Sequence, residues 1–382
     1  EDKPFSYYSD SENVINSAYR FDNNVLTFDL DIYDNTKKVI IDPWLNNSTY
    51  STSSAVWEVE TDGAGNVYTI GGETPMELKK FNAAGALQWT YVTPWDTSNT
   101  WLGTLATDDL GTSYVTSGTS QEIERIDNNG NMVWHANNPG FSQEYWSITF
   151  NCDNTKLIVG GTETQSLLSF DYKATIFDID INNGSVISSA IVATTNIGGI
   201  GTTPVEVRSI SSSKNAKYIF LTHNDVGAIN QDLTCPNSAA IFQLDNQDNL
   251  GYKCENYLPA TQNGGGLKAL VANDTYFYTH SGDQIRQWDL VTGALVNTVT
   301  LVGGVSTVVP FIGGVVVENS GLDVDDCGNV YAGSTNSVVK FDQNLNVLST
   351  SPTTFTVYDV SVNSNGEVLA IGAQSDNSAS SR

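Results

Sequence analysis

Thr61-Asp62-Gly63-Ala64-Gly65-Asn66-Val67-Tyr68 is the stretch on which the fold turns. It lies between two β-rich runs and reads as a tight acidic turn. An Asp that opens a turn accepts bonds from backbone amides just beyond it, and a Gly takes the left-handed position that closes the loop. The phrase returns as Thr107-Asp108-Asp109-Leu110-Gly111-Thr112-Ser113-Tyr114, as Val324-Asp325-Asp326-Cys327-Gly328-Asn329-Val330-Tyr331, and as Val362-Asn363-Ser364-Asn365-Gly366-Glu367-Val368-Leu369. Degenerate copies stand at Asn151–Leu157, Ser212–Tyr218 and Ala272–Phe277. The strand after the turn tends to end in small residues, such as Gly71-Gly72, Ser117-Gly118, Gly160-Gly161 and Gly333-Ser334.

A second turn follows each of the first six units: Phe81-Asn82, Ile126-Asp127, Ile179-Asp180, Leu244-Asp245, Trp288-Asp289 and Phe341-Asp342, several with a Gly a few residues on. Alternating strands flank each one. The period averages about 50 residues, which suits propeller blades. Four short antiparallel strands per unit predict an all-β, seven-bladed β-propeller with almost no helix. The blades are expected to start near Trp57, Trp101, Trp146, Val205, Leu267, Gly321 and Val357. The last has sequence for only two strands, to about Ile371. A hairpin of Val25–Tyr33 and Lys38–Ile41 around Asp34-Asn35-Thr36 is expected to supply the missing pair and close the ring. The rival reading makes residues 1–42 the tail of a preceding β domain. The chain thus divides into an N-terminal segment and junction (1–52), a propeller (53–374) and a linker-like tail (375–382).

Composition narrows the function. The 382 residues hold 17 Lys and Arg against 43 Asp and Glu, a formal charge of −26, and charged residues are only 16% of the total. Nucleic acid is excluded as a partner, because no basic face can be built to neutralise phosphates. An anionic membrane surface is disfavoured for the same reason, and no apolar run is long enough to insert in a bilayer. Glu1 and Asp2 do not open a signal peptide. Lys-poor, Asn- and Thr-rich surfaces suit an exported or cell-surface protein. The four cysteines form no CxxC pair. Cys235 and Cys254 lie in one segment that reads as a long loop and the strand it returns to, and a disulfide there would staple the loop. Cys152 and Cys327 fall in the same turn of distant blades, too far apart to bridge, and are expected as free thiols.

Ile40-Ile41-Asp42-Pro43-Trp44-Leu45-Asn46-Asn47-Ser48-Thr49-Tyr50-Ser51-Thr52-Ser53-Ser54 resembles the junction that precedes bacterial seven-bladed propeller repeats in very large secreted proteins. The Asp-x-x-Gly-Asn-Val-Tyr blades look like those repeats too. The resemblance covers nearly the whole chain and points to multidomain surface proteins of Bacteroidetes, many exported by the type IX system and some linked to gliding motility. It implies an extracellular or bacterial cell-surface location and membership of a larger polypeptide or assembly. It implies no catalytic residues.

The candidate sites each compete with a plainer reading. Asp127-Asn128-Asn129-Gly130-Asn131 has the look of a calcium loop, but no distant Glu completes about six to eight oxygen ligands. Turn chemistry accounts for the same letters, and weak calcium binding elsewhere is left open by the charge. His223 and His280 end the second strands of consecutive blades, with Asp225 and Asp283 behind them, and could form a metal or acid–base site on one rim. Two His without a third in register are a thin signal, and ordinary rim histidines are the plainer reading. Trp95, Phe141 and Tyr145 are read as inter-blade connections beside Trp101 and Trp146, on the face where propellers usually bind ligands, so their rings could stack on sugars. Packing between blades is the plainer role. No nucleophile elbow, phosphate loop or zinc-protease motif is present. The expectation is therefore a non-enzymatic scaffold for a glycan or another surface protein, in an adhesion-type role. The alternative is a polysaccharide lyase or glycosidase using His223, His280 and nearby carboxylates.

Overall fold

The computed structural model describes residues 6–8, 14–22, 25–41, 56–71, 76–94, 104–118, 120–138, 144–151, 153–166, 169–194, 205–212, 217–224, 239–245, 255–256, 270–281, 283–301, 307–310, 316–319, 321–364 and 366–373. Among them every regular element is a strand. Five complete four-stranded antiparallel blades are present, each paired in sequence order from the axis outward. Blade I comprises Val56–Thr61, Val67–Gly71, Glu77–Phe81 and Leu87–Val92. Blade II comprises Leu105–Thr107, Ser113–Thr116, Glu122–Ile126 and Met132–Asn137. Blade III comprises Glu144–Phe150, Lys156–Ser166, Ser169–Asp180 and Val186–Thr194. Blade V comprises Leu270–Ala272, Tyr276–Ser281, Gln284–Asp289 and Leu295–Thr300. Blade VI comprises Leu322–Val324, Val330–Gly333, Ser337–Phe341 and Val347–Pro352.

Between blades III and V, a sheet of Val205–Ser212, Lys217–Asn224 and Ala239–Asp245 has the same order, but its outermost strand is the two-residue Glu255–Asn256. After blade VI comes a two-stranded sheet, Thr356–Val362 with Val368–Ala373. The expectation of seven four-stranded blades is corrected accordingly. The innermost strands nevertheless close a ring, because Thr356–Val362 packs directly on Val56–Thr61 of blade I.

The expected closing hairpin is also corrected. Val25–Leu30 pairs with Ser17–Asp22, and Val39–Ile41 pairs with Ser6–Tyr8, so the two runs flanking Asp34 belong to different sheets. Asp34 does form its turn, accepting from the Thr36 amide at 3.0 Å. Only Asn23 and Asn24 separate Ser17–Asp22 from Val25–Leu30, a shorter and entropically cheaper closure than the 31–38 connection.

The repeated turns form as their letters demand. Asp62 Oδ1 accepts from the Ala64 and Asn66 amides at 3.0 and 2.9 Å, and Oδ2 accepts from the Tyr68 hydroxyl at 2.9 Å. Asp325 repeats this with Cys327, Asn329 and Tyr331 at 3.0, 2.8 and 3.0 Å. Where the inner strand bulges, a small residue ending the second strand makes room for it. The inner-strand register slips around Trp57, Trp146 and Tyr358, and a Cβ on Gly161 would fall on the Glu144 carbonyl. The apolar core lies between blades. Trp57, Tyr68, Leu78, Leu105, Val115 and Tyr358 form one cluster drawn from three neighbouring sheets. A single blade cannot bury its faces alone, so closure into a ring stabilises every member.

Candidate functional site

The ring of inner strands leaves a cavity of about 220 Å³ on the axis, whose polar lining includes Glu60, Thr107, Thr149, Ser211, Asp323 and Ser361. That is below the size of most small-molecule pockets and has room for roughly seven waters. Three carboxylates near the axis serve as clasps between sheets. Glu58 Oε2 in blade I accepts from the Leu105 amide and the Thr104 hydroxyl of blade II, at 2.6 and 2.9 Å. Asp359 Oδ2 accepts from the Val59 amide at 2.9 Å, across the point where the ring closes. Asp323 Oδ2 accepts from the Val362 amide at 2.7 Å. The other oxygens of Asp323 and Asp359 accept from the Val324 and Val360 amides, at 2.7 and 2.9 Å. Carboxylates held in this way are anchors for backbone rather than groups free to shuttle protons.

A second series of contacts joins blades near the perimeter. In blade I, Lys80 Nζ and Trp89 Nε1 donate to the Asn128 carbonyl in the second turn of blade II, at 3.3 and 3.0 Å. In blade II, Arg125 Nη1 and Trp134 Nε1 donate to the Ile181 carbonyl of blade III, at 3.5 and 3.3 Å. In blade V, Gln287 Nε2 and the Tyr278 hydroxyl both donate at 2.8 Å to the Gln343 carbonyl of blade VI. In every case the acceptor is the residue after the Asp that opens the second turn. Gly130 sits in such a turn at φ 84° with Trp89 against it, where any Cβ would strike the indole. Sequence reasoning missed both series. The signals were present: an acid directly after the bulged aromatic in Trp57-Glu58 and Tyr358-Asp359, and a cation or amide two positions before the residue that opens the second turn, as in Lys80-Phe81-Asn82, Arg125-Ile126-Asp127 and Gln287-Trp288-Asp289.

One titratable cluster lies on the seam of blades I and II. His135 Nε2 is 3.3 Å from Glu122 Oε1, and its Nδ1 is 3.7 Å from Glu124 Oε1. The Tyr91 hydroxyl donates to Glu124 Oε2 at 2.9 Å. Burial pushes the Glu124 carboxyl up to about 7, with the nearby Glu122 charge adding to the rise and the Tyr91 bond opposing it.

The sequence-derived candidates do not converge. Trp95, Trp101, Phe141, Asp225, Cys235, Cys254 and Cys152 lie outside the described residues, as does the side chain of His223. Tyr145 belongs to the innermost strand of blade III rather than to a connection, Trp146 follows it in that strand, and both are buried. Tyr145 packs edge-on against Phe177 with ring centroids 5.2 Å apart, and Trp146 Nε1 donates to Glu144 Oε2 at 3.0 Å. His280 is buried within blade V rather than standing on a rim, whereas Asp283 is exposed. The Asp127 carboxylate is engaged by its own turn, accepting from the Asn129 and Asn131 amides at 2.9 and 2.8 Å. The Asn131 amide leads the hydrogen bonds that hold its carboxyl below the usual range. No group of three or more His, Cys, Asp or Glu side chains converges as a metal site among the described residues. Cys327 is an exposed free thiol, as its turn position implied.

No family model and no curated protein matches the sequence. Solved structures match the fold. Streptogramin B lyase superposes with a TM-score of 0.56 at 10% identity, covering 85% of this chain and 93% of its own. A chain of the mitotic checkpoint complex gives 0.55 at 14% identity over 91% and 94%. U3-55K gives 0.58 at 10% identity over 85% and 90%. At such identities the likeness is one of β-propeller architecture, which hosts many unrelated functions.

Proposed function

We propose that the chain is a non-enzymatic β-propeller scaffold of a secreted or surface-exposed bacterial protein, built as a seven-sector disc that docks a protein partner. The carrying observation is an aliphatic belt. Leu87, Met132, Val133, Ile187, Leu295 and Val347 open the outermost strands of the five complete blades, and each is more than half exposed. Acidic second turns, opened by Asp127, Asp180, Asp289 and Asp342, stand immediately beside those of blades II, III, V and VI. Repeated exposed aliphatic side chains mark an interaction surface, and the adjoining acids favour a partner that sets basic residues around apolar anchors. Sugar recognition draws on exposed aromatic faces, whereas the rings of Tyr145 and Trp146 are buried. The non-enzymatic reading rests on the clasping roles of Asp323 and Asp359 and the burial of His280. The surface-protein reading rests on the Ile41-Asp42-Pro43 junction and the Lys-poor composition.

The test combines three assays of the full chain: a glycan array, degradation of a polysaccharide panel, and cross-linking to proteins of its native surface fraction. The belt variant Met132→Asp/Val133→Asp runs beside it. Partner cross-links that the variant loses, with no sugar bound or cleaved, are expected. Cleavage products, or cross-links that the variant retains, would overturn the proposal.

A further inference from the structure

We infer that the Ser17–Asp22/Val25–Leu30 hairpin, which stands here as a two-stranded sheet of its own, is the outer half of the seventh blade and adds to the open edge of Val368–Ala373. This rests on the propeller disc and on neither the partner nor the belt.

Four observations converge. Among the described residues the seventh place in the ring holds two strands, so that Val368–Ala373 has one paired side there. Burial differs in the same way. The second strands of blades I, II and VI are buried throughout, whereas Val368 is 40% exposed and Leu369, Ala370, Ile371 and Gly372 are only half-buried. An edge with aliphatic residues beneath it is a template for strand addition.

The hairpin also carries the signature of a third and fourth strand. Arg20-Phe21-Asp22-Asn23-Asn24-Val25-Leu26 follows the pattern of Lys340-Phe341-Asp342-Gln343-Asn344-Leu345-Asn346-Val347-Leu348, with two turn residues fewer. The cation stands opposite the third residue of the outer strand in both: Lys340 opposite Ser349, Arg20 opposite Thr27. Blades I and II repeat this with Lys80 opposite Trp89 and Arg125 opposite Trp134.

Finally, blade VI is set up to hold a further turn. Lys340 Nζ lies 5.2 Å from the Tyr331 ring centroid, as Lys80 Nζ lies 5.2 Å from that of Tyr68. In blade I this pair engages the second turn of blade II, since Tyr68 donates to Asn128 Oδ1 and Lys80 to the Asn128 carbonyl. The equivalent acceptor for blade VI would come from the turn that follows Asp22, which lies outside the described residues. Arg20 in turn would reach the carbonyl of Ala83, the residue after Asn82 in blade I. Its side chain is otherwise 61% exposed, in a surface pair with Asp29 at 3.7 Å. The register of blades I and VI, carried over, sets Leu369 opposite Arg20 and Ile371 opposite Ala18.

Cysteine trapping in the full chain tests the register. Ala18→Cys/Ile371→Cys is compared under mild oxidation with the out-of-register Ala18→Cys/Val368→Cys. Amide hydrogen exchange of Val368–Ala373 is followed in the unmodified chain. A bond within one chain in the first variant only, with exchange as slow as in Val330–Gly333, is expected. A bond linking two chains would assign the edge to a second copy and overturn the inference. Slow exchange without the bond would assign it to another segment, and fast exchange would leave the edge open; either also overturns it. Loss of partner binding with the bond intact would reject only the proposed function.

Discussion

Glu124 illustrates what burial does to one carboxyl. Its folded value of about 7 stands above the ordinary 4.5. Between those values the folded chain keeps a proton that the unfolded chain has released. Stability therefore falls as pH rises from about 4.5 through 7 and levels off above. Glu124→Gln keeps an acceptor for Tyr91 and removes the titration. Its melting temperature should match the parent near pH 4 and exceed it at pH 8, by a margin equivalent to about 3 kcal/mol. A gap independent of pH would show that the carboxyl does not titrate in this range. Asp62 offers the opposite case. Its carboxylate satisfies two amides, the Asn66 side chain at 2.7 Å and the buried Tyr68 hydroxyl. Asp62→Ala should cost about 2–3 kcal/mol in denaturant unfolding, because buried donors lose their acceptor. Asp62→Asn, which preserves the turn acceptor, should cost less.

At the scale of the element, the bulged inner strand and its partner have to be read together. The slip at Trp146 brings the Glu144 carbonyl against Gly161, and the slip at Tyr358 brings the Thr356 carbonyl against Gly372. Backbone on backbone leaves no flexible side chain to yield. Gly161→Ala should therefore destabilise by about 2 kcal/mol or more and speed amide exchange along Glu144–Phe150. Gly366→Ala is the control: φ is 78°, but no atom lies within 4 Å of the added carbon. Only backbone strain applies, about 1 kcal/mol. Equal costs at the two positions would contradict the bulge explanation.

For the whole molecule, stability depends on the seams. Apolar clusters span adjacent sheets, so opening one seam exposes two faces. Asp359→Ala removes the clasp on the Val59 amide where the first and last sheets meet. It should lower the melting temperature more than Asp342→Ala, whose carboxylate serves only its own exposed turn. If the two variants melt alike, the seam clasp is not a stability determinant. The segment from Cys235 to Cys254, which includes the strand Ala239–Asp245, bears on the same level. Peptide mapping under non-reducing conditions should recover the two cysteines bonded, and alkylation of both would remove the staple.

The sequence by itself determined the local chemistry: each acidic turn, each left-handed Gly and the alternation of each strand are written within about ten consecutive residues. From their recurrence follow the all-β class, the strand order within a blade and the propeller architecture. Even the clasp and grip residues left a trace, in Trp57-Glu58, Tyr358-Asp359 and the Lys or Arg two positions before a turn acid. Tertiary structure alone decided what those residues touch. Glu58 and Leu105, or Asp359 and Val59, meet only because the ring brings distant segments to one seam. The same reason accounts for the displaced site candidates. Period and spacing placed His280 at the end of a strand and Tyr145 near one, but their burial depends on the neighbouring sheet, which the local sequence does not encode. It also accounts for the N-terminal region. Alternation marked Val25–Leu30 as a strand, yet its partner was a matter of competing loop closures, and the two-residue connection to Ser17–Asp22 prevailed over the longer one to Val39–Ile41.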